Sequence, residues 1–448
     1  MKESGEAMQG WTRAQKHVVA ASFLGWMLDA FDFFLLVFVL SDVAKEFGVP
    51  VSPHPFALGA DYAAAHGVIA KAIVLVPLIF QHFFAALTGA NGLDATIVPT
   101  ITLALRPVGA FVFGRLADRF GRKPVLMFDV LCYSALAFAS AFAPSFAVFL
   151  VIRALFGVAM GGEWGIGASL TMESVKPESR GLVSGILQTG YASGYLLAAL
   201  VYYFLFPVIG WRGLFMVGVL PALMVLYIRQ HVPESPAFAA GRIEKKSGAL
   251  AALAQHWKLG VYAILLMMCL NFLSHGTQDL YPTFLKKQHG FDPHVTGLIA
   301  IVYNVGAILG GLVFGFLSQR FGRRHSLILA ALLTIPIAPL WAFGGTAATL
   351  AIAAFVMQFF VQGCWGVIPA HLNELSPPNA RGTFPGTVYQ LGNFLASVNT
   401  TVQGTLAAAA GGNFSYGLAG VAIVSALLIV FFALIGPEAR EVEMTGAR

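Results

Sequence analysis

Charge is what this chain of 448 residues has least of: 11% of its residues are Asp, Glu, Lys or Arg, while 58% are hydrophobic. Soluble domains carry about 25% charge, so a water-soluble globular or disordered protein is excluded. Cysteine is scarce as well. Cys132, Cys269 and Cys364 lie far apart inside apolar runs, which fits small buried hydrophobes and argues against a disulfide framework or zinc site. There is no catalytic triad motif, phosphate loop or metal-ligand spacing, so neither an enzyme nor a bound cofactor is expected. The first apolar run, Val18 to Leu40, lacks a small-residue cleavage site after it and reads as an uncleaved membrane span.

Long apolar runs dominate what is there. A helical crossing needs about 20 apolar residues, and twelve are found: 18–40, 96–114, 125–143, 146–170, 182–207, 212–231, 259–284, 297–317, 325–343, 347–371, 383–408 and 414–436. With both termini placed in the cytoplasm, twenty Lys and Arg fall on the inner side and five on the outer, with Arg106 and Arg153 left inside spans. That asymmetry obeys the positive-inside rule and accounts for the net charge of +6 without nucleic acid. The expected protein is a monomer in the inner or plasma membrane. Its parts are an N-terminus 1–17, a first six-helix half 18–231, a linker 232–258, a second half 259–436 and a cytoplasmic tail 437–448. Residues 49–94 form an outward insert in the first half. Gly67 to Gly89 within it is apolar, yet a single extra span there would reverse the charge sorting; a re-entrant pair is the alternative.

The chain also repeats. Gly114-Arg-Leu-Ala-Asp-Arg-Phe-Gly-Arg-Lys123 recurs 201 residues on as Gly315-Phe-Leu-Ser-Gln-Arg-Phe-Gly-Arg-Arg324. At the same offset Gly162-Glu-Trp-Gly165 recurs as Gly363-Cys-Trp-Gly366, and Glu173 to Gly181 as Glu374 to Gly382. The fold class is therefore an all-α membrane protein of twelve helices in two pseudo-symmetric halves. Such halves enclose a solute site near the bilayer midplane and rock about it.

Polar residues inside spans are costly and mark function or helix glue. Asn271, Ser274, His275, Thr277, Gln278 and Asp279 crowd one span, with Asn271, His275 and Gln278 on one helical face. Gln390 and Asn393 form a second amide pair in the eleventh span. Arg106 sits at the centre of the second span and needs a carboxylate, either the substrate's or that of Asp29 or Asp32; Arg153 is its rival. Asp29 and Asp32, at i and i+3, suit a proton-carrying pair. Glu163 is a coupling acid or a helix-end anchor, Asp129 is expected to be tied to nearby arginines, and His275 is a titrating group or a neutral hydrogen-bonder. Asp118 can face Arg122 and the N-terminus of the eleventh span, bracing the halves; Gln319 replaces it beside Arg323 in the second half, where the brace should be weaker.

The Gly114–Lys123 run resembles the signature loop of the major facilitator superfamily. Arg153-x3-Gly157-x3-Gly161-Gly162 and Pro233-Glu234-Ser235-Pro236 look like its proton-coupled metabolite branch. Asn271 to Thr283, NFLSHGTQDLYPT, matches at every defined position the N-x-x-S-H-x-T-Q-D-x-x-x-T signature of Jen-type lactate and pyruvate permeases in the sialate:proton symporter group. The resemblance implies proton-coupled transport of a small organic anion. It places substrate binding at Arg106, Asn271, His275, Gln278, Gln390 and Asn393, and coupling at Asp29, Asp32, Asp279, Glu163 and Arg153, with Asp118, Arg122 and Arg323 as the gate. Sialic acid and aromatic acids are the alternative substrates, the latter because Asp29-x-x-Asp32 is similar to the first-span acids of aromatic-acid symporters.

Overall fold

The computed structural model describes residues 11–50, 95, 97–240, 249–440 and 442–444. The helices are α1 (Arg13–Glu46), α2 (Ile97–Phe120), α3 (Arg122–Ser140), α4 (Phe146–Ser174), α5 (Arg180–Val217), α6 (Ala222–His231), α7 (Trp257–Gln278), α8 (Pro293–Phe321), α9 (Arg323–Phe343), α10 (Ala347–Leu375), α11 (Phe384–Ala396), α12 (Asn399–Ala409) and α13 (Phe414–Ile435). Among the described residues, ten helical stretches are long and apolar enough to cross a membrane. One carries two crossings, because α5 turns at Gly210, whose φ of +62° suits glycine. The sixth crossing is completed by α6, and α11 and α12 together make the eleventh. Most of the insert, 51–94, lies outside the described residues.

Each half packs as expected of a repeat. At one end, rich in Lys and Arg and called the basic end below, Gly121 and Gly322 adopt φ of +105° and +92° and break α2 from α3 and α8 from α9. The first N–H groups of a helix have no intrahelical partner, and a carboxylate supplies one in both halves. Glu234 accepts from the Arg122 and Lys123 N–H groups at 2.9 and 3.2 Å, and Glu438 from those of Arg323 and Arg324 at 3.2 and 3.0 Å. Arg122 pairs with Glu173 at 3.0 Å and Arg323 with Glu374 at 2.9 Å, all four buried.

The halves interlock at this basic end. Asp118 accepts from the Gly382 N–H at 2.7 Å and from the Thr383 N–H and hydroxyl at 3.0 and 2.7 Å, at the start of α11, while Arg122 lies 3.3 Å away. In the other half Gln319 accepts one bond across the boundary, from the Gly181 N–H at 3.2 Å at the start of α5, besides one from Arg323 of its own half at 3.0 Å. The two braces occupy equivalent places but differ in strength, because a carboxylate accepts charge-assisted bonds where an amide accepts neutral ones. Ser169 also donates to the Arg381 carbonyl at 2.6 Å, and the Ala370 N–H donates to Ser184 at 3.1 Å.

The segment after α13 joins this closure. Arg180 donates to the Val442 carbonyl at 2.6 Å, and Met444 is buried among Val19, Met172, Val175, Val183, Leu187 and Ala370, drawn from both halves. Burying a methionine contributes about 1.5–3 kcal/mol. Met444→Asp is therefore expected to loosen the basic end. A cysteine placed at Leu187 should then react with a maleimide from that side roughly tenfold faster; equal rates in the two backgrounds would show that Met444 holds nothing shut.

Candidate functional site

α1 and α2 bring the central charges together. Asp29 and Arg106 form an ion pair at 3.1 Å, with 0% and 3% of their side chains exposed. The other Asp29 oxygen and the Arg106 Nε have no protein partner, so the pair uses only part of the guanidinium fork. Arg106 also lies 6.0 Å from the centre of the Trp26 ring. Trp26 stacks on Tyr191 at 5.5 Å and meets Trp164 and Tyr389 edge-on at 6.4 and 6.3 Å; Tyr389 in turn lies 4.6 Å from Trp164 and 5.5 Å from Trp365. Trp164 and Trp365 are the repeated tryptophans of the two Gly-x-Trp-Gly runs. The result is an aromatic cluster beside one arginine, built by α1, α4, α5, α10 and α11.

Asp32 turns away from Asp29. Its carboxylate packs against Gly218 in the sixth crossing, 3.0 Å from where a Cβ would stand, and faces Arg153. Asp29 and Asp32 thus have different surroundings, because positions i and i+3 differ by about 60° around a helix: Asp29 is ion-paired with Arg106, while neither Asp32 oxygen has a hydrogen-bond partner among the described residues. Arg153 makes no hydrogen bond, is fully buried, and lies 3.8 Å from the centre of the Phe156 ring and 5.4 Å from that of Phe215.

On the second half, α7 ends at Gln278, and Pro282 starts the short helix Tyr281–Lys287. His275 reaches Asn393 on α11 at 3.1 Å and Asp279 at 3.2 Å. The His275 and Asp279 side chains are 28% and 36% exposed although they point inward to α11, so they border open space. Gln390 is 1% exposed, with both amide atoms unpartnered. Asn271 and Gln278 are otherwise occupied: Asn271 donates to the Met267 carbonyl at 2.8 Å, and Gln278 to Gln358 on α10 at 2.8 Å. Gln358 bonds Thr277 at 2.9 Å, and Gln362 bonds Ser274 at 3.2 Å. Much of the polar face of α7 is therefore stitched to α10.

Glu163 lies against Gly25 of α1, where a Cβ would overlap its carboxylate, and makes no hydrogen bond. Asp129 corrects the expectation of an arginine tie: neither oxygen has a partner, and it faces Glu163 across Gly162. The sequence reading passed over Trp26, the structural use of Gln358, and the Glu234–Glu438 equivalence. The Gln358/Gln362 spacing of four on one helix could have flagged the second of these, and the recurring Pro-Glu at Pro233-Glu234 and Pro437-Glu438 the third.

Residues 41–259 match the family profile described as "Sugar (and other) transporter", and residues 264–447 that of the "Major Facilitator Superfamily". The chain is 28% identical over 334 residues to a carboxylic acid transporter protein homolog of Saccharomyces cerevisiae, covering 68% of this chain and 54% of that protein, so it spans about half of that relative. It is 24% identical over 381 residues to the sialic acid transporter NanX of Escherichia coli, covering 84% of each chain. NiaP of Bacillus subtilis, named for niacin and nicotinamide transport, is 30% identical over 340 residues, covering 75% of this chain and 84% of that one. Among solved structures, the proton:xylose symporter XylE superposes with a TM-score of 0.70 at 18% identity, covering 96% of this chain and 98% of that one, a likeness of fold. With the repeat and the twelve crossings, these matches place the chain in the major facilitator superfamily of multi-pass membrane transporters.

Proposed function

We propose that the protein is a proton-coupled symporter for a small monocarboxylate, lactate or pyruvate first, working by alternating access in the cell membrane with its basic end in the cytoplasm. The observation that carries this reading is the buried Arg106–Asp29 pair beside the aromatic cluster, whose Tyr389 is followed on α11 by Gln390, an amide with no hydrogen-bond partner among the described residues. Arg106 holds the substrate carboxylate, and Gln390 and Asn393 read the oxygen at C2, with His275 orienting Asn393. Asn271 and Gln278 hold α7 in place behind them. Asp29 competes with substrate for Arg106. Protonating Asp29 removes that competitor, so proton and anion load together; Asp32, Asp279, Glu163 and Arg153 complete the coupling groups.

External acid favours protonated Asp29 and therefore loading, so uptake into proteoliposomes should rise as external pH falls and collapse when a protonophore dissipates the gradient. Uptake that is independent of pH would refute the coupling. A second reading has its own support. The cluster of Trp26, Trp164, Tyr191 and Tyr389 offers ring faces for a larger or flat acid, and relatives are named for sialic acid and niacin. Counterflow of labelled lactate, sialate and nicotinate in one preparation decides between them. Exchange of lactate supports the first reading, whereas exchange of only sialate or nicotinate replaces it.

A further inference from the structure

Away from the ion pairs of the basic end, the described residues of the first half hold four fully buried carboxyls, Asp29, Asp32, Asp129 and Glu163, and two buried guanidiniums, Arg106 and Arg153. Arg106 is taken by Asp29, and Arg153 faces Asp32. Asp129 has no cation beside it, Glu163 has only Arg106, which is already paired with Asp29, and none of their four oxygens has a hydrogen-bond partner among the described residues. An isolated buried carboxylate costs several kcal/mol. Two uncharged carboxylic acids can occupy this place, each with a proton to give.

Their positions form a descending series. Glu163 contacts α1 at Gly25, one helical turn from Asp29 on the same face. Asp129 packs on Gly162, beside Glu163, with its Oδ1 3.0 Å from where a Cβ would stand. With a rise of 1.5 Å per residue, Asp29, Glu163 and Asp129 stand roughly 24, 17 and 11 Å from the basic ends of α1, α4 and α3. Tyr133, one turn from Asp129 on α3, is fully buried with an unpartnered hydroxyl and faces the same acids. The groups around Asp129 are Glu163 from α4, Asp29 from α1, and Cys132 and Tyr133 from α3; Arg106 from α2 neighbours Glu163. α6 covers this side of α3 with Met224, Val225 and Ile228.

Building on the proton-symport reading above, we infer that Asp129 is the last carboxyl of a proton route inside the first half, passing to the basic face the proton that Glu163 takes from Asp29. When the basic end opens, Asp129 releases its proton to water, and protons then pass from Glu163 to Asp129 and from Asp29 to Glu163, each relayed by a water that enters between carboxyls that do not touch in the closed form. Each step breaks one O–H bond and forms another. Asp29 then re-forms its pair with Arg106 and expels the substrate. While the basic end is closed, both lower acids keep their protons and the route does not leak.

The test uses the full chain in proteoliposomes with an internal pH dye and the acid that gives the highest counterflow in the panel above. Counterflow needs no net proton movement, so Asp129→Asn should keep it within about twofold while substrate-evoked proton uptake falls at least about tenfold, the scale of a lost proton-transfer group. Asp129→Glu should restore proton uptake. Wild-type proton uptake in Asp129→Asn would overturn the route, as would loss of counterflow in both variants, which marks a purely structural residue. A wild-type protein that moves substrate with no proton uptake would instead refute symport itself.

Discussion

Arg106→Ala is expected to abolish uptake, and Arg106→Lys to leave only a small fraction. The alanine variant removes the cation paired with Asp29 and leaves that buried carboxylate with nothing to balance it. Removing one partner of a buried pair destabilises the fold by about 3–5 kcal/mol, and losing the buried partner of a ligand's charge costs about 2–5 kcal/mol, roughly one and a half to three and a half orders of magnitude in affinity. Lysine keeps the charge but not the planar fork that grips a carboxylate with two parallel bonds. Because a merely structural pair would also suffer, the decisive variant is Asp29→Asn. It frees Arg106 from its competitor, so anion exchange should persist, or bind more tightly, while the acceleration by external acid disappears. The double variant Arg106→Gln with Asp29→Asn keeps an uncharged hydrogen-bonded pair and should fold without transporting. Uptake by that double variant at wild-type rates would mean that Arg106 holds the helices and not the substrate.

The sequence made some of this visible and left the rest hidden for identifiable reasons. The twelve crossings follow from run length, and the halves from a repeat written in glycines and charges that loops cannot exchange freely. Periodicity places Asn271, His275 and Gln278 on one face of α7, but it does not say what that face meets. The structure gives Gln278 to Gln358 and leaves His275 beside Asn393. Asp29 and Asp32 look like one unit in sequence, and a rotation of about 60° along α1 gives them different surroundings. Glu438 repeats the role of Glu234 as the acceptor for the N–H groups that open α9. It is hard to see in sequence, because the two lie 204 residues apart rather than 201 and the linker and tail around them differ. Asp118 was legible because its partners are the N–H groups at the start of a helix, a fixed feature of any helix start.

Gly185→Leu is expected to lock the protein open at the basic end. A Cβ built on Gly185 would stand 2.6 Å from the Gly311 carbonyl oxygen and 3.1 Å from the Leu312 Cα, both across the boundary between halves. Gly315 meets the Gly185 Cα at 2.7 Å in return, and Gly114 meets the Gly382 carbonyl at 2.6 Å on the other side of the axis. These are backbone atoms, so no rotamer change makes room; only separating the halves does. Uptake should fall at least about a hundredfold, since the strain of an overpacked contact, about 1–3 kcal/mol or more, adds to the loss of the Gly181–Gln319 brace beside it. The folded halves should survive, because the clash lies between them. Glycines within one half should behave differently: Gly157 and Gly161 of α4 lie against the Thr102 and Arg106 carbonyls of α2, and leucine there would break the half itself and lower expression. Thiol labelling from the two sides separates the cases. Gly185→Leu should expose a cysteine at Leu187 to reagent on the basic side while the protein remains monodisperse. Normal uptake, or aggregation like that of Gly161→Leu, would show that this glycine contact is not the closure on which the transport cycle turns.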